Sequence, residues 1–214
     1  MRRAVEERVA IFVGERKIKV PGLNVAKDAT FRTGGSGTAK RGRKRSMDIT
    51  WVTERIAVGG GIWNAENMAA VAQQGITHII DMQIEFDDTA LAREHGIEVL
   101  WNPTDDDFEP KPAELFRRGV GFGSKALEEG DTKLFVHCAA GVHRAPTMTL
   151  ALLGSLGWEL GDAMDLIQRK RPVADFADVY VRSVERFLDG RDSRAERAEG
   201  QRNSDGRSRG MGKL

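Results

Sequence analysis

Between about residue 49 and residue 188 the chain alternates short apolar runs with longer stretches whose apolar positions recur every three to four residues. That is the pattern of strands alternating with helices. Ile56 to Val58 reads as a short strand, Asn64 as the cap of a helix that carries Met68 and Val71 inward until Gly75, and Thr77 to Asp81 as a buried strand. The order then repeats. Asp88 opens a helix that ends before Gly96, Ile97 to Trp101 is a strand, and Asn102 to Pro110, NPTDDDFEP, is a loop of turn formers. Pro112 starts a helix through Leu115, Phe116 and Val120 to Leu127, and Gly130 and Asp131 turn the chain into a strand at Leu134 to His137. From Ala145 the pattern is helical again. Met148, Leu150, Leu152, Leu153 and Leu156 cover most of its circumference, as expected of a helix buried on every side. Asp162 to Lys170 and Phe176 to Leu188 complete the set as amphipathic helices. The prediction is an α/β fold with a central, mostly parallel sheet of roughly four to five strands flanked by helices.

The chemistry concentrates where the strand at Leu134 to His137 meets the helix beginning at Ala145. The tight loop between them, Cys138 to Arg144, holds one glycine, Gly141, suited to a turn that other residues resist, and Pro146 suits the first helical turn. Strand, loop and helix N-terminus make an anion-binding layout, because the unpaired N–H groups and the helix dipole converge there. Into it the sequence puts one thiol and one guanidinium. A helix N-terminus and a nearby Arg both favour the thiolate, so Cys138 is expected to be nucleophilic at neutral pH. Arg144, six positions on, can hold two phosphate oxygens in its planar fork if the loop curls into a cradle. A buried structural cysteine would need none of these neighbours.

His137, Cys138 and Arg144, spaced as HCxxxxxR, resemble the phosphate loop of the cysteine-dependent protein tyrosine phosphatases, and the surroundings resemble the dual-specificity branch. ITWVTERIAVGG (Ile49 to Gly60), GITHIID (Gly75 to Asp81), an aspartate after Pro103, and Arg171 with Pro172 are similar to that family in content and order. The resemblance implies a phosphatase-like single domain. It also implies removal of phosphate from phosphotyrosine, phosphoserine or phosphothreonine through a cysteinyl-phosphate, with Cys138, Arg144 and an aspartate as the catalytic set. The loop Ala139, Ala140, Gly141, Val142, His143 and Arg144 would bind the phosphate, with no metal or organic cofactor.

The leaving oxygen needs a proton, and a carboxyl on a loop can supply it. Asp105, Asp106 and Asp107 are the candidates, and like-charge crowding is expected to keep at least one of them protonated. The family places its acid a few residues after the strand that precedes the long helix. The distance from Pro103 and the 32-residue separation from Cys138 favour Asp106. Two positions depart from the family: Ala145 stands where a Ser or Thr hydroxyl usually steadies the departing thiolate, and His143 where a small polar residue is common. A slow second step follows from the first departure, with Thr147 close in sequence. His137 is expected to fix loop backbone, and the spacing of His137, Cys138 and His143 is not that of a zinc site. Two alternatives remain at this point: a phosphatase-like binding module with little turnover, and a rhodanese-like sulfurtransferase, which leaves the aspartate loop and the Arg spacing unexplained.

Charge divides the chain into three. Residues 1–47 carry 13 Lys or Arg against 4 Asp or Glu, residues 48–189 carry 13 against 24, and residues 190–214 carry 7 against 4. The acidic middle is expected to be the catalytic domain. The basic N-terminal extension is read as a hairpin over Val9 to Val20 and a flexible linker over Thr33 to Ser46, and the charged C-terminal tail as disordered. KRGRKR (Lys40 to Arg45) offers a contact for an acidic partner or nucleic acid, beside the phosphorylated protein substrate the resemblance implies. A single cysteine excludes an intrachain disulfide and suits a reducing cytoplasm, and no apolar run near the N-terminus is long enough for a signal peptide or membrane span. A cytoplasmic protein is expected. The loop interior AAGVH has no Lys, unlike the basic loops of phosphoinositide phosphatases.

Overall fold

The computed structural model describes residues 47–190 and two short strands nearer the N-terminus; the linker over Thr33 to Ser46 and the tail beyond residue 190 lie outside the described residues. Strands β1 (Ile11–Val13) and β2 (Arg16–Ile18) pair antiparallel, with Ile11 opposite Ile18.

The main sheet comprises β3 (Ile49–Trp51), β4 (Ile56–Gly59), β5 (His78–Asp81), β6 (Glu98–Trp101) and β7 (Leu134–His137), in the order β3-β4-β7-β5-β6. Four strands run parallel with β7 at their centre, and β3 is an antiparallel edge. The mostly parallel sheet is thus as predicted. The apolar pattern does not disclose β3, whose Ile-Thr-Trp is only half-buried and is set by a tight turn in which Val52 and Thr53 both donate to the Ile56 carbonyl, at 2.9 and 3.1 Å.

The helices are α1 (Ala65–Gln73), α2 (Thr89–Arg93), α3 (Ala113–Glu128), α4 (Arg144–Ser155), α5 (Leu160–Lys170) and α6 over residues 178–190. Strand side chains alternate between two cores. Ile80, Leu134 and Val136 enter the core under α3, α4, α5 and α6, while Ile79 and Phe135 enter the smaller one under α1 and α2. Every residue of α4 from Arg144 to Leu153 is buried, which makes it the central helix of the larger layer. Gly119 of α3 permits the close approach, since a Cβ there would lie 2.4 Å from the Met148 sulfur. Asn64 caps α1 by accepting the Asn67 N–H at 2.9 Å. Asp88 precedes α2 but does not cap it with its side chain; the carboxyl is buried elsewhere, as described below.

The four parallel strands point the same way, so the loops after β4, β5, β6 and β7 gather at one edge of the sheet, where α/β folds bind ligands.

Candidate active site

The loop from Cys138 to Arg144 follows β7 and opens α4. The carbonyls of residues 139–143 are all engaged. Ala139 O accepts from Gly61 N at 3.1 Å, Ala140 O and Gly141 O accept from Arg171 at 3.3 and 2.7 Å, Val142 O accepts from Asp175 N at 2.9 Å, and His143 O accepts from Thr147 N at 2.9 Å. Each trans peptide points its N–H opposite to its C=O. The amides of residues 140–144 therefore turn to the inner side of the loop, and one of them, Gly141 N–H, donates to Cys138 Sγ at 3.2 Å. No side chain caps α4, leaving its first N–H groups to a ligand. Gly141 has φ +65°, and a Cβ there would meet Arg171 Nη2 at 2.4 Å and Gly59 O at 2.5 Å. Both conformation and space demand glycine.

Arg171 is the clamp behind this curvature. Its side chain is 4% exposed, its Nε and Nη2 hold the two loop carbonyls, and its fork closes on Asp48 at 2.8 and 2.6 Å, with Thr50 at 3.1 Å. The Arg171 hydrogen bonds hold the Asp48 carboxyl below its ordinary pKa, against the opposing effect of burial. Arg171 and Pro172 belong to the family-like pattern, but nothing local to them indicates this role.

Arg144 lies on the other side, also 4% exposed at its side chain. Its fork pairs with Glu85 from the loop after β5, at 3.0 and 2.8 Å, and Nη1 also donates to Thr104 O at 3.1 Å. Burial works to lower its pKa, but the hydrogen bonds it donates to Glu85 and the nearby Cys138 and Asp106 hold it above the ordinary guanidinium value. The guanidinium expected to face a phosphate thus rests on a carboxylate that no motif announces.

The three aspartates of the triplet do not share partners. Asp107 is tied to Lys111, which holds its carboxyl below the usual range, the reverse of what crowding predicts for that residue. Asp106 turns toward the phosphate loop: Oδ2 is 3.1 Å from His143 Nδ1 and 3.9 Å from Arg144 Nε, and Oδ1 accepts from Tyr180 OH at 3.2 Å. His143 Nε2 is 3.3 Å from Asp175. Phe108, at φ +58°, stacks on Tyr180 and meets the His143 ring edge-on, with centroids 5.9 and 5.1 Å away. Its N–H donates to Tyr180 OH at 2.9 Å. Burial chiefly raises the Tyr180 pKa, and Asp106 adds to the rise. Tyr180 and Asp175 lie far along the chain from the triplet and escape a reading of local motifs.

His137 points to the opposite face of the sheet from Cys138. It stacks on Phe135 and lies 3.0 Å from Asp88 and 3.7 Å from Asp81, all three fully buried. The Nε2 to Asp88 contact is off the line of a hydrogen bond. Burial pushes the Asp81 pKa up to about 7. The ligand atoms of Asp81, Asp88 and His137 all lie within 4.8 Å of one another, and among the described residues this is the set that could hold a metal ion. The ring does not fix loop backbone as expected of it: neither nitrogen has a hydrogen-bond partner, and the contact His137 does make is through its main chain, whose carbonyl accepts from Met82 N at 2.8 Å. Thr147 Oγ1 is buried without a partner.

Residues 61–187 match the family model "Dual specificity phosphatase, catalytic domain". The human Protein phosphatase Slingshot homolog 2 is 26% identical over 141 residues, covering 64% of this chain and 9% of the relative. Mouse Dual specificity protein phosphatase 22 is 26% identical over 131 residues, 60% of this chain and 67% of that protein. The chain therefore spans less than a fifth of the Slingshot relatives it matches. The fold is similar to the crystal structure of PTPMT1, with TM-score 0.62 at 20% identity over 69% of this chain and 98% of that one, and to human DUSP28, with TM-score 0.57 at 17% identity over 67% and 95%. No helix among the described residues is long and apolar enough to cross a membrane. With the matched region covering more than half its length and containing the whole loop from Cys138 to Arg144, this chain belongs to the dual-specificity phosphatase family.

Proposed function

We propose that this chain hydrolyses phosphomonoesters on the tyrosine, serine or threonine side chains of proteins through a cysteinyl-phosphate. The observation that carries the reading is the turning of loop amides 140–144 toward the side of the Cys138 sulfur, with every intervening carbonyl engaged elsewhere. Such a cradle stabilises the charge of a phosphoryl group in flight. Cys138 attacks phosphorus as the loop amides and Arg144, released from Glu85, hold the equatorial oxygens. Asp106 delivers the proton that the leaving oxygen requires, then takes one from the water that hydrolyses the S–P bond. This role is supported by the contacts of Asp106, which accepts from Tyr180 OH and faces His143 Nδ1 beside the loop. The exposed apolar side chains Trp63, Ile84, Phe108 and Val173 lie in loops that touch the cradle or its partners, and suit a substrate presented on a protein surface.

A binding module with little turnover is the second reading, favoured by Ala145, which has no hydroxyl to steady the departing thiolate. Rapid acid quench during para-nitrophenyl phosphate hydrolysis separates the two. A phosphoenzyme burst with turnover, both lost on the order of 10⁵-fold in Cys138→Ser, is expected of the enzyme. Vanadate binding without burst or turnover would move the conclusion to the module.

A further inference from the structure

We propose that Asp175, His143 and Asp106 form a proton relay, in which His143 supplies and recovers the proton that Asp106 exchanges with substrate. This rests on the reading of Asp106 as the general acid. The two nitrogens of one imidazole each face a carboxylate: Nδ1 is 3.1 Å from Asp106 Oδ2 and Nε2 is 3.3 Å from Asp175 Oδ2. Ionised carboxylates only accept, so both contacts are hydrogen bonds only when the ring carries two protons.

The arrangement is asymmetric in a way that gives the two aspartates different tasks. Asp106 is 30% exposed at its side chain and lies beside the cradle, 3.9 Å from Arg144 Nε, while Asp175 is 68% exposed and contacts the loop from behind, its N–H donating to Val142 O. Asp175 fixes the Nε2–H tautomer and the ring plane; Nδ1 faces the acid. This is the logic of a base oriented by a third group. Phe108 against the ring edge and Tyr180 OH on Asp106 Oδ1 fix the remaining freedom of the pair.

The steps balance. As the S–P bond forms and the P–O bond breaks, the Nδ1 proton passes through Asp106 Oδ2 to the leaving oxygen, which departs as the alcohol or phenol. Asp106 is again a carboxylate, and the ring is neutral, its remaining proton on Nε2 and donated in a hydrogen bond to Asp175. In hydrolysis water bonds to phosphorus and gives its proton to Asp106, the S–P electron pair returns to sulfur, and the proton returns to Nδ1. His143 acts through Asp106 and is a positioning residue, occupying the loop position at which a small polar residue is common.

The charged and titratable groups facing this ring or its carboxylate are Asp106, Asp175, Arg144 with its partner Glu85, and Tyr180, with Cys138 in the same loop. Asp107 is neutralised by Lys111, which also lies over the Tyr180 ring. The relay is loaded when the ring is doubly protonated and empty once Nδ1 has lost its proton.

The test measures kcat/KM of the full chain from about pH 5 to 9 with phenyl phosphate, whose leaving group needs a proton, and 2,4-dinitrophenyl phosphate, whose leaving group does not. His143→Gln is expected to slow phenyl phosphate by about 10- to 100-fold, spare the dinitrophenyl ester within about threefold, and abolish the alkaline limb due to the ring. Asp175→Asn, at an exposed position that folding tolerates, is expected to act in the same direction by about threefold. Equal slowing of both esters, or an unchanged alkaline limb, in both variants overturns the relay. Asp106→Asn run alongside keeps the two readings apart. If it slows phenyl phosphate selectively while the His143 variant does not, the acid stands and the relay falls; if it slows neither selectively, the acid assignment itself falls.

Discussion

Two arginines flank the phosphate loop, both almost fully buried and both forked onto a carboxylate, yet they are committed to different ends. Arg171 spends its remaining donors on the carbonyls of Ala140 and Gly141, so its contacts are those that keep the loop curled. Arg144 grips Glu85, a residue whose side chain is 40% exposed, and its own Nε has no hydrogen bond. In the proposed function a phosphate dianion entering the cradle would present the same two-oxygen edge as Glu85 and take its place. Burial alone therefore does not tell a structural guanidinium from an exchangeable one. What differs is the share of each: Arg171 holds two carbonyls of the loop itself, whereas both terminal nitrogens of Arg144 rest on the Glu85 carboxylate, with Thr104 O beside them.

The contrast breaks most sharply at Arg144. Arg144→Lys keeps the charge but loses the planar fork, and kcat/KM for aryl phosphates is expected to fall on the order of 10³-fold, with little change in thermal midpoint. An equal loss of stability would assign Arg144 to the scaffold. Arg171→Ala should do the opposite in kind. Two loop carbonyls and Asp48 lose their donor, and chemical denaturation should show a loss of about 2 kcal/mol, reduced from the value of a fully buried pair because Asp48 is half exposed.

A smaller effect sharpens the same point by pH. Asp48 has a folded pKa below its unfolded value, so the stability it contributes is complete above the unfolded carboxylate pKa and is lost as pH falls through the folded one. Asp48→Asn should flatten the acid side of the stability curve below roughly pH 4, by less than about 1 kcal/mol given its exposure. Glu85→Gln is expected to have the least effect: it weakens the competitor for Arg144, tightening vanadate binding about two- to fivefold and leaving the denaturation midpoint in place. Weaker vanadate binding in that variant would show that Glu85 orients Arg144 for phosphate.

Much of the fold was legible because its rules are local. The 3.6-residue and alternating periods placed six helices and four of the five strands of the main sheet, and the edge strand β3 escaped because a three-residue, half-buried edge has no period to detect. Cys138, Gly141 and Arg144 stood within seven residues of one another, so the family resemblance was readable as a motif. Asp106 was singled out by spacing within a triplet whose members are chemically identical, whereas in the folded protein their partners differ: Lys111 for Asp107, and His143 with Tyr180 for Asp106.

The sequence by itself thus determined the α/β layering, the strand–loop–helix junction and the thiol and guanidinium within it, all features carried by residues adjacent in the chain. Only the tertiary structure decided that Arg171 curls the loop from 30 residues away, that Glu85 occupies Arg144 across 59, and that Asp106 meets His143 across 37. The physical reason is that hydrogen bonds of a few ångströms depend on how the parallel strands bring their loops to one edge, and no local pattern of apolar and polar residues encodes which side chains then face one another.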